Sequence, residues 1–250
     1  PEILAQRMNT KKLAEVKAGA KYISNICKTY NINRVVDIGS GQGYLSLTLA
    51  ATCGVKVFAI DGSEKQIQGS KQAAEQAGLV EGRHITHLTR FVTNTNDLDT
   101  EIQAWAKEES CLVTGLHACG SLSEHMVRVS VEVECVKYIA VVGCCFNHIQ
   151  LMSAEHPEGF PISTFMRERR LRMKTSALVT GCQAPTNWPL TTTTTDSSDS
   201  DSPFRRKAWY RAVLEKLLFD KSLLSESSQQ QQRPVWGIRT SDLSSFHSYT

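Results

Sequence analysis

The first 150 residues alternate between short apolar runs and longer segments of helical rhythm. Arg34–Ile38, Lys56–Ile60, Cys111–Leu116 and Val136–Cys144 are continuous runs rich in β-branched residues, and His84–Val92 can hold one strand more. Between them, Lys11–Tyr30 carries Val16, Tyr22, Ile23 and Ile26 at helical spacing; Tyr44–Ala51, Ser63–Ala77 and Glu101–Glu109 also read as helices. Strands with apolar residues at every position are buried on both faces, which a parallel sheet between two helical layers requires. Right-handed crossovers then gather the strand-to-helix loops at the carboxyl edge of the sheet, where ligands bind beside the switch point. The predicted fold is α/β: a Rossmann-like, doubly wound, mostly parallel sheet. Its closing antiparallel hairpin is incomplete here, with Val235–Arg239 a weak candidate strand and the remainder expected beyond Thr250.

The later half has a different texture. Thr191–Pro203 is a threonine, serine and aspartate tract, and Gln229–Gln232 a short glutamine run, both too poor in apolar surface to offset the entropy of ordering. They flank a helix candidate, Arg205–Phe219, with Trp209, Ala212, Val213 and Leu217 on one face. The expected organisation is a helical segment over 1–30, an α/β core over 31–190, a disordered insertion over 191–203, and a helix with an extension of the same domain over 204–250. No internal repeat is apparent. The chain starts at Pro1 and reads as an excerpt of a longer protein.

Composition narrows the class further. A net charge of +3 is too small to argue for nucleic acid by itself. The basic cluster Arg167, Arg169, Arg170, Arg172 and Lys174 is local, and reads either as a solvated helix face or as a phosphate-contacting one. The longest uncharged apolar run, Tyr138–Phe146, is about half of what a bilayer crossing needs, so no membrane is expected. Eight cysteines without a secretory signal suit a reducing compartment, cytoplasmic or nuclear.

The strongest motif is Val35-Val-Asp-Ile-Gly-Ser-Gly-Gln-Gly-Tyr44. Gly39, Gly41 and Gly43 allow a tight turn after the strand and close approach of backbone to a ligand. Asp37 can order that turn or reach a cationic group, and Asp61, at the tip of the next strand, suits two ribose hydroxyls. A dinucleotide loop spaces its glycines as G-x-G-x-x-G; here the third comes one residue early and an acid precedes the loop. That arrangement resembles the D/E-x-G-x-G-x-G loop of class I methyltransferases. The resemblance implies S-adenosylmethionine as cofactor, with Asn94 or Asp97 of the next loop beside its adenine.

On the other side of the edge stand Gly115-Leu-His117-Ala-Cys119-Gly120 and Val142-Gly-Cys144-Cys145-Phe-Asn147-His148. His117 reads as a general base or, equally, as a buried imidazole bonded to a neighbouring loop. Asn147 can orient an acceptor or only cap the following helix. The cysteines read first as small apolar fillers. With His117 and His148 they also make a zinc-type donor set, but adjacent cysteines on an extended strand point to opposite faces; Cys144 and Cys145 then do not easily share one tetrahedron, and no metal is assigned. The Asn/Asp-Pro-Pro-aromatic segment of many amine methyltransferases is missing.

His117-x-Cys119-Gly120, Gly143-Cys-Cys-Phe-Asn147, Gly159-Phe-Pro161 and Leu178 to Cys182-Gln-Ala, in that order, resemble the methyltransferase-like protein 25 family. Lys11-Lys12-x-x-Glu15-Val16 is similar to the family's segment ahead of the first strand, although this chain has Ala14 where a histidine usually stands. The H-x-C-G and Cys-Cys elements share a more distant similarity with a class of tRNA 2′-O-methyltransferases. The resemblance implies a methyltransferase domain that uses S-adenosylmethionine; the expected acceptor is a macromolecule, RNA ahead of protein, with oligomeric state left open. The alternative is a non-catalytic cofactor-binding or scaffold module on the same fold.

Overall fold

The computed structural model describes residues 2–5, 7–92, 98–171, 173–182, 209–210, 213–214, 216–218 and 220–221. The chain forms two compact units, Pro1–Cys182 and Gln183–Thr250. In the second, described residues from 209 to 220 are helical, reaching one residue past the end of the helix predicted there, and Lys216 pairs with Asp220 at 2.8 Å. The tract over 191–203, the glutamine run, the strand candidate Val235–Arg239 and residues 183–184 lie outside the described residues.

The first unit runs α1 (Glu2–Ala5), α2 (Thr10–Thr29), β1 (Arg34–Ile38), α3 (Tyr44–Thr52), β2 (Lys56–Asp61), α4 (Glu64–Gln76), β3 (Ile85–Thr89), α5 (Leu98–Ala106), β4 (Cys111–Cys119), α6 (Leu122–Glu132), β5 (Val136–Cys144), a 3₁₀ turn (Phe146–His148), α7 (Thr164–Glu168) and α8 (Thr175–Gly181). The sheet order is β3-β2-β1-β4-β5, and every pairing among the described residues is parallel. The direction of winding reverses between β1 and β4, so a crevice opens beyond the end of β1. This is the Rossmann-like α/β fold expected from the alternation of apolar runs.

Side chains of β1 alternate between the layers. Val35 joins Ala20 and Ile23 of α2 and Leu45, Leu47 and Leu49 of α3, while Val36 and Ile38 join Ile102 of α5 and Met126 and Val129 of α6. Each fully buried Leu or Ile of this kind contributes about 1.5–3 kcal/mol. At the amino end of β1 the buried Arg34 donates to Glu109 at 2.7 Å and to the Trp105 carbonyl at 3.0 Å, and lies over the Trp105 ring, while its Nε finds no partner among the described residues.

Three departures from the sequence reading have local causes. Helix α5 occupies Leu98–Ala106 rather than Glu101–Glu109: Leu98, Ile102 and Ala106 form its buried stripe, and left-handed Lys107 and Glu108 end it. Strand β4 continues three residues past Leu116, to Cys119, through a bulge. Helix α6 was not anticipated, because Val127, Val129, Val131 and Val133 mask a helical stripe of Leu122, Met126, Val129 and Val133.

Candidate functional site

The glycine loop leaves β1 and enters α3 through three residues of positive φ: Gly39 (75°), Gly41 (55°) and Gly43 (72°). The loop is tied to β2. The amides of Gly39 and Ser40 donate to the Ile60 carbonyl, and the Gly41 amide donates to Asp61 Oδ2 at 2.8 Å. Asp61 Oδ1 accepts from the Ser63 amide at 2.9 Å. The acidic tip of β2 therefore clasps the middle of the loop, and each carboxylate oxygen keeps a second acceptor direction for a ligand hydroxyl.

The three glycines are not equivalent. A Cβ on Gly43 would lie 2.0 Å from Ser70 Oγ, and one on Gly39 2.8 Å from Leu122 Cδ2. A Cβ on Gly41 would meet nothing within 4 Å. Gly39 and Gly43 pack against protein, whereas Gly41, held by Asp61, faces open space. An adenosyl ligand fits that arrangement: an uncovered backbone segment beside a carboxylate able to take two hydroxyls.

Asp37 points into the α3 layer, almost wholly buried, and accepts from Ser46 Oγ at 2.5 Å. Burial pushes its carboxyl up to about 6, the Ser46 hydrogen bond opposes the rise, and the charge of Asp61 adds to it. Its visible work is to anchor the first turn of α3. Asn94 and Asp97 fall outside the described residues. A separate hollow of about 400 Å³ lies along α2 and α3, lined by Leu13, Val16, Ser24 and Thr48 among others. It includes neither the glycine loop nor Asp61, so its size does not outweigh the chemistry of the loop.

Across the end of β1, the β4 bulge falls between Leu116 and Ala118 and leaves His117 unpaired, at a φ of 83°. A non-glycine residue held in the left-handed half of backbone space costs on the order of 1–2 kcal/mol and is often a mark of function. The imidazole is partly exposed and meets α2: Nε2 lies 2.8 Å from Lys12 Nζ and 3.1 Å from Glu15 Oε2. Lys12 and Glu15 also pair at 3.3 Å. Burial pushes the Glu15 carboxyl up, but hydrogen bonds from His117 and Lys12 outweigh this and hold it below the usual range. The two bonds to Nε2 exclude one another, since a lysine needs the nitrogen lone pair and a carboxylate needs its proton. Lys12 and Glu15 were legible only as a resemblance ahead of β1; their meeting with His117, more than a hundred residues on, required the fold.

Asn147 sits in the 3₁₀ turn after β5. Its Oδ1 accepts from Cys182 Sγ at 3.1 Å, and its amide donates to the same sulfur at 3.4 Å, which fastens the turn to the end of α8. The neighbouring cysteines depart from the sequence argument. Cys145 has left the strand and is left-handed (φ 49°, ψ 48°), so its thiol does not go to the face opposite Cys144. The sulfurs of Cys119, Cys144 and Cys145 all lie within 4.8 Å of one another. Burial first, then hydrogen bonds and repulsion among the three, pushes the Cys144 thiol up to about 12.

The basic segment is not one helix. Helix α7 stops at Glu168, Arg170 is left-handed, and α8 begins at Thr175. Arg167 is turned inward, donating to the carbonyls of Pro161 and Gly159 at 2.7 and 3.0 Å. Arg169 lies over the Phe165 ring, and Arg170 and Lys174 are exposed.

The class defined by this fold and edge is a Rossmann-like α/β domain with a glycine loop clasped by an acidic strand tip. A family model described as a methyltransferase domain matches residues 11–151, and the chain belongs to that family. It is similar to the probable methyltransferase-like protein 25 of Homo sapiens, 45% identical over 65 residues, and to that of Mus musculus, 40% identical over 65 residues. Each match covers 26% of this chain and 11% of the relative, so it spans about a tenth of the relatives' length. Among solved structures, the chain is similar to an S-adenosylhomocysteine-bound methyltransferase of Podospora anserina, with 15% identity over 53% of this chain and 51% of that one at a TM-score of 0.38. It is also similar to a methyltransferase of Geobacter sulfurreducens in complex with S-adenosylhomocysteine, with 16% identity over 50% and 47% at a TM-score of 0.36. A methyltransferase domain calls for a methyl donor, and S-adenosylmethionine, the donor read from the glycine loop, accords with the family assignment. Among the described residues no helix is long and apolar enough to cross a membrane.

Proposed function

We propose that the chain transfers a methyl group from S-adenosylmethionine to an RNA or protein acceptor. The observation that carries this reading is the pairing of two prepared elements across the end of β1: the open Gly41–Asp61 clasp, and His117 on its bulge with Lys12 and Glu15 behind it. When bound, S-adenosylmethionine supplies an electrophilic methyl on a sulfonium. Asp61 and the Gly41 backbone hold its adenosyl part. Glu15 accepts the Nε2 proton of His117, which fixes the tautomer and leaves Nδ1 to draw a proton from the acceptor; the carboxylate then steadies the imidazolium. Lys12, donating to the same nitrogen in the alternative state, holds the imidazole out of that tautomer until the pair rearranges.

Asn147, locked to Cys182, lines the β5 side of the edge and orients the acceptor. Its place there is supported by the α8 contact that holds the turn. RNA is the favoured acceptor because exposed cations, Lys11, Arg170 and Lys174, stand on segments bordering this edge.

The test is transfer of labelled methyl from S-adenosylmethionine by the purified protein into extracts of cells lacking it, followed by ribonuclease or protease. Label lost with ribonuclease is the expected result, and label lost only with protease makes the acceptor a protein. Absence of transfer at every extract concentration, with cofactor still bound, would leave a binding module and refute catalysis.

A further inference from the structure

We propose that Cys119, Cys144 and Cys145 form a thiolate site for a soft divalent cation of the zinc type at the carboxyl ends of β4 and β5. Three backbone features converge on it. Cys119 and Cys144 are register partners at the last paired position of the two parallel strands, with their sulfurs 3.1 Å apart. Cys145 adopts the left-handed conformation immediately after the strand, which brings its sulfur into the same group. Gly120, at a φ of 54°, donates its amide to the Cys144 carbonyl, and a Cβ there would lie 2.6 Å from the His148 carbonyl oxygen. A glycine here lets the turn after β5 close against the end of β4, and the strand register and the left-handed Cys145 set the three thiols side by side.

The geometry suits a tetrahedral thiolate cation. Zinc–sulfur bonds of about 2.3 Å set neighbouring sulfurs about 3.8 Å apart. The present spacings, from 3.1 Å to at most 4.8 Å, bracket that value, so loading needs movements of less than about an ångström. Soft thiolates select zinc or monovalent copper over magnesium or calcium. Among the described residues no fourth histidine, cysteine or carboxylate joins the group. Cys182 is held by Asn147 and the Leu178 carbonyl. Three protein ligands with a fourth position left to solvent or an outside ligand is the pattern of a reactive rather than a closed structural zinc site. Cys119 is exposed and the other two half-exposed, so a fourth ligand can reach the ion. The competing chemistry is a Cys119–Cys144 disulfide. It would use two thiols and leave unexplained why Cys145 is turned to the same place.

The test uses the 250-residue chain, purified reduced and without chelator. Elemental analysis should find about one equivalent of zinc, and cobalt(II) added to stripped protein should give a thiolate-to-metal charge-transfer band with the visible bands of a tetrahedral ion. Cys119→Ser, Cys144→Ser and Cys145→Ser should each weaken cobalt binding at least about tenfold, the lower end of what loss of a mere supporting contact costs. Cys53→Ser and Cys182→Ser should leave it unchanged. If a serine variant fails to fold, the charge-transfer band of the unaltered chain still decides the matter. No retained zinc together with no such band would overturn the site; so would a Cys119–Cys144 disulfide mapped by mass spectrometry in the reduced preparation, or cobalt binding indifferent to all three substitutions.

Discussion

Asp37 offers a measurement that needs no ligand. Its carboxyl lies under α3, almost wholly buried with Ser46 Oγ at 2.5 Å, and its affinity for a proton rises from 3.8 to about 6 through burial, partly offset by Ser46 and reinforced by Asp61. A carboxyl raised in the native state stabilises the fold at low pH, where both states are protonated, and loses that contribution as pH climbs through the interval. At about 1.4 kcal/mol per tenfold, the full loss is on the order of 3 kcal/mol, of which about 2 kcal/mol falls between pH 4.5 and 8. Asp37→Asn keeps an oxygen for the Ser46 hydroxyl but cannot ionise. Its amide group adds a donor that must find a partner, a fixed cost of about 1–3 kcal/mol if it does not. The absolute stability of the variant is therefore less telling than its slope. Urea unfolding of both proteins from pH 4.5 to 8 should show the native chain losing about 2 kcal/mol relative to the variant. Parallel stability curves would refute the account of Asp37 as a carboxyl held in an apolar layer.

Asp61→Ala removes the acceptor of the Gly41 and Ser63 amides; it should weaken S-adenosylhomocysteine binding by about 1–3 kcal/mol and speed hydrogen exchange at those two amides, and unchanged affinity would show the ribose misplaced. His117→Ala and His117→Gly should both bind cofactor normally and abolish turnover, yet the glycine variant should be the more stable by about 1 kcal/mol because it relieves the 83° φ; an active variant would exclude His117 as the base. Gly41→Ala should cost about 1–2 kcal/mol from its backbone conformation alone, whereas Gly43→Ala adds overpacking of about 1–3 kcal/mol against Ser70, so equal urea midpoints would contradict the packing described.

What was legible in the chain follows from how local each signal is. Strands β1, β2 and β5 and the glycine loop are written in contiguous residues, β-branched runs closed by Asp or Gly, and they stand where the pattern puts them. The bulge at His117 has no such signal, because it arises from the pairing of β4 with β5 and not from the residues around it. Nor could the spacing of Cys144 and Cys145 reveal their arrangement. The rule of opposite faces holds only on an extended strand, and the chain turns left-handed at the second cysteine. The arginine cluster misled for the opposite reason: its apolar and basic positions fit a helix, but Arg170 breaks it and Arg167 caps carbonyls of the preceding loop.

The central claim is that Gly41 and Asp61 together clasp an adenosyl sulfonium. Calorimetric titration of the purified chain with S-adenosylhomocysteine and, in parallel, with NAD tests it most directly. The account predicts one site of roughly micromolar affinity for the former, about −8 kcal/mol, abolished by Gly41→Arg, and no heat from the latter. Binding of NAD without S-adenosylhomocysteine, or full affinity in Gly41→Arg, would contradict it.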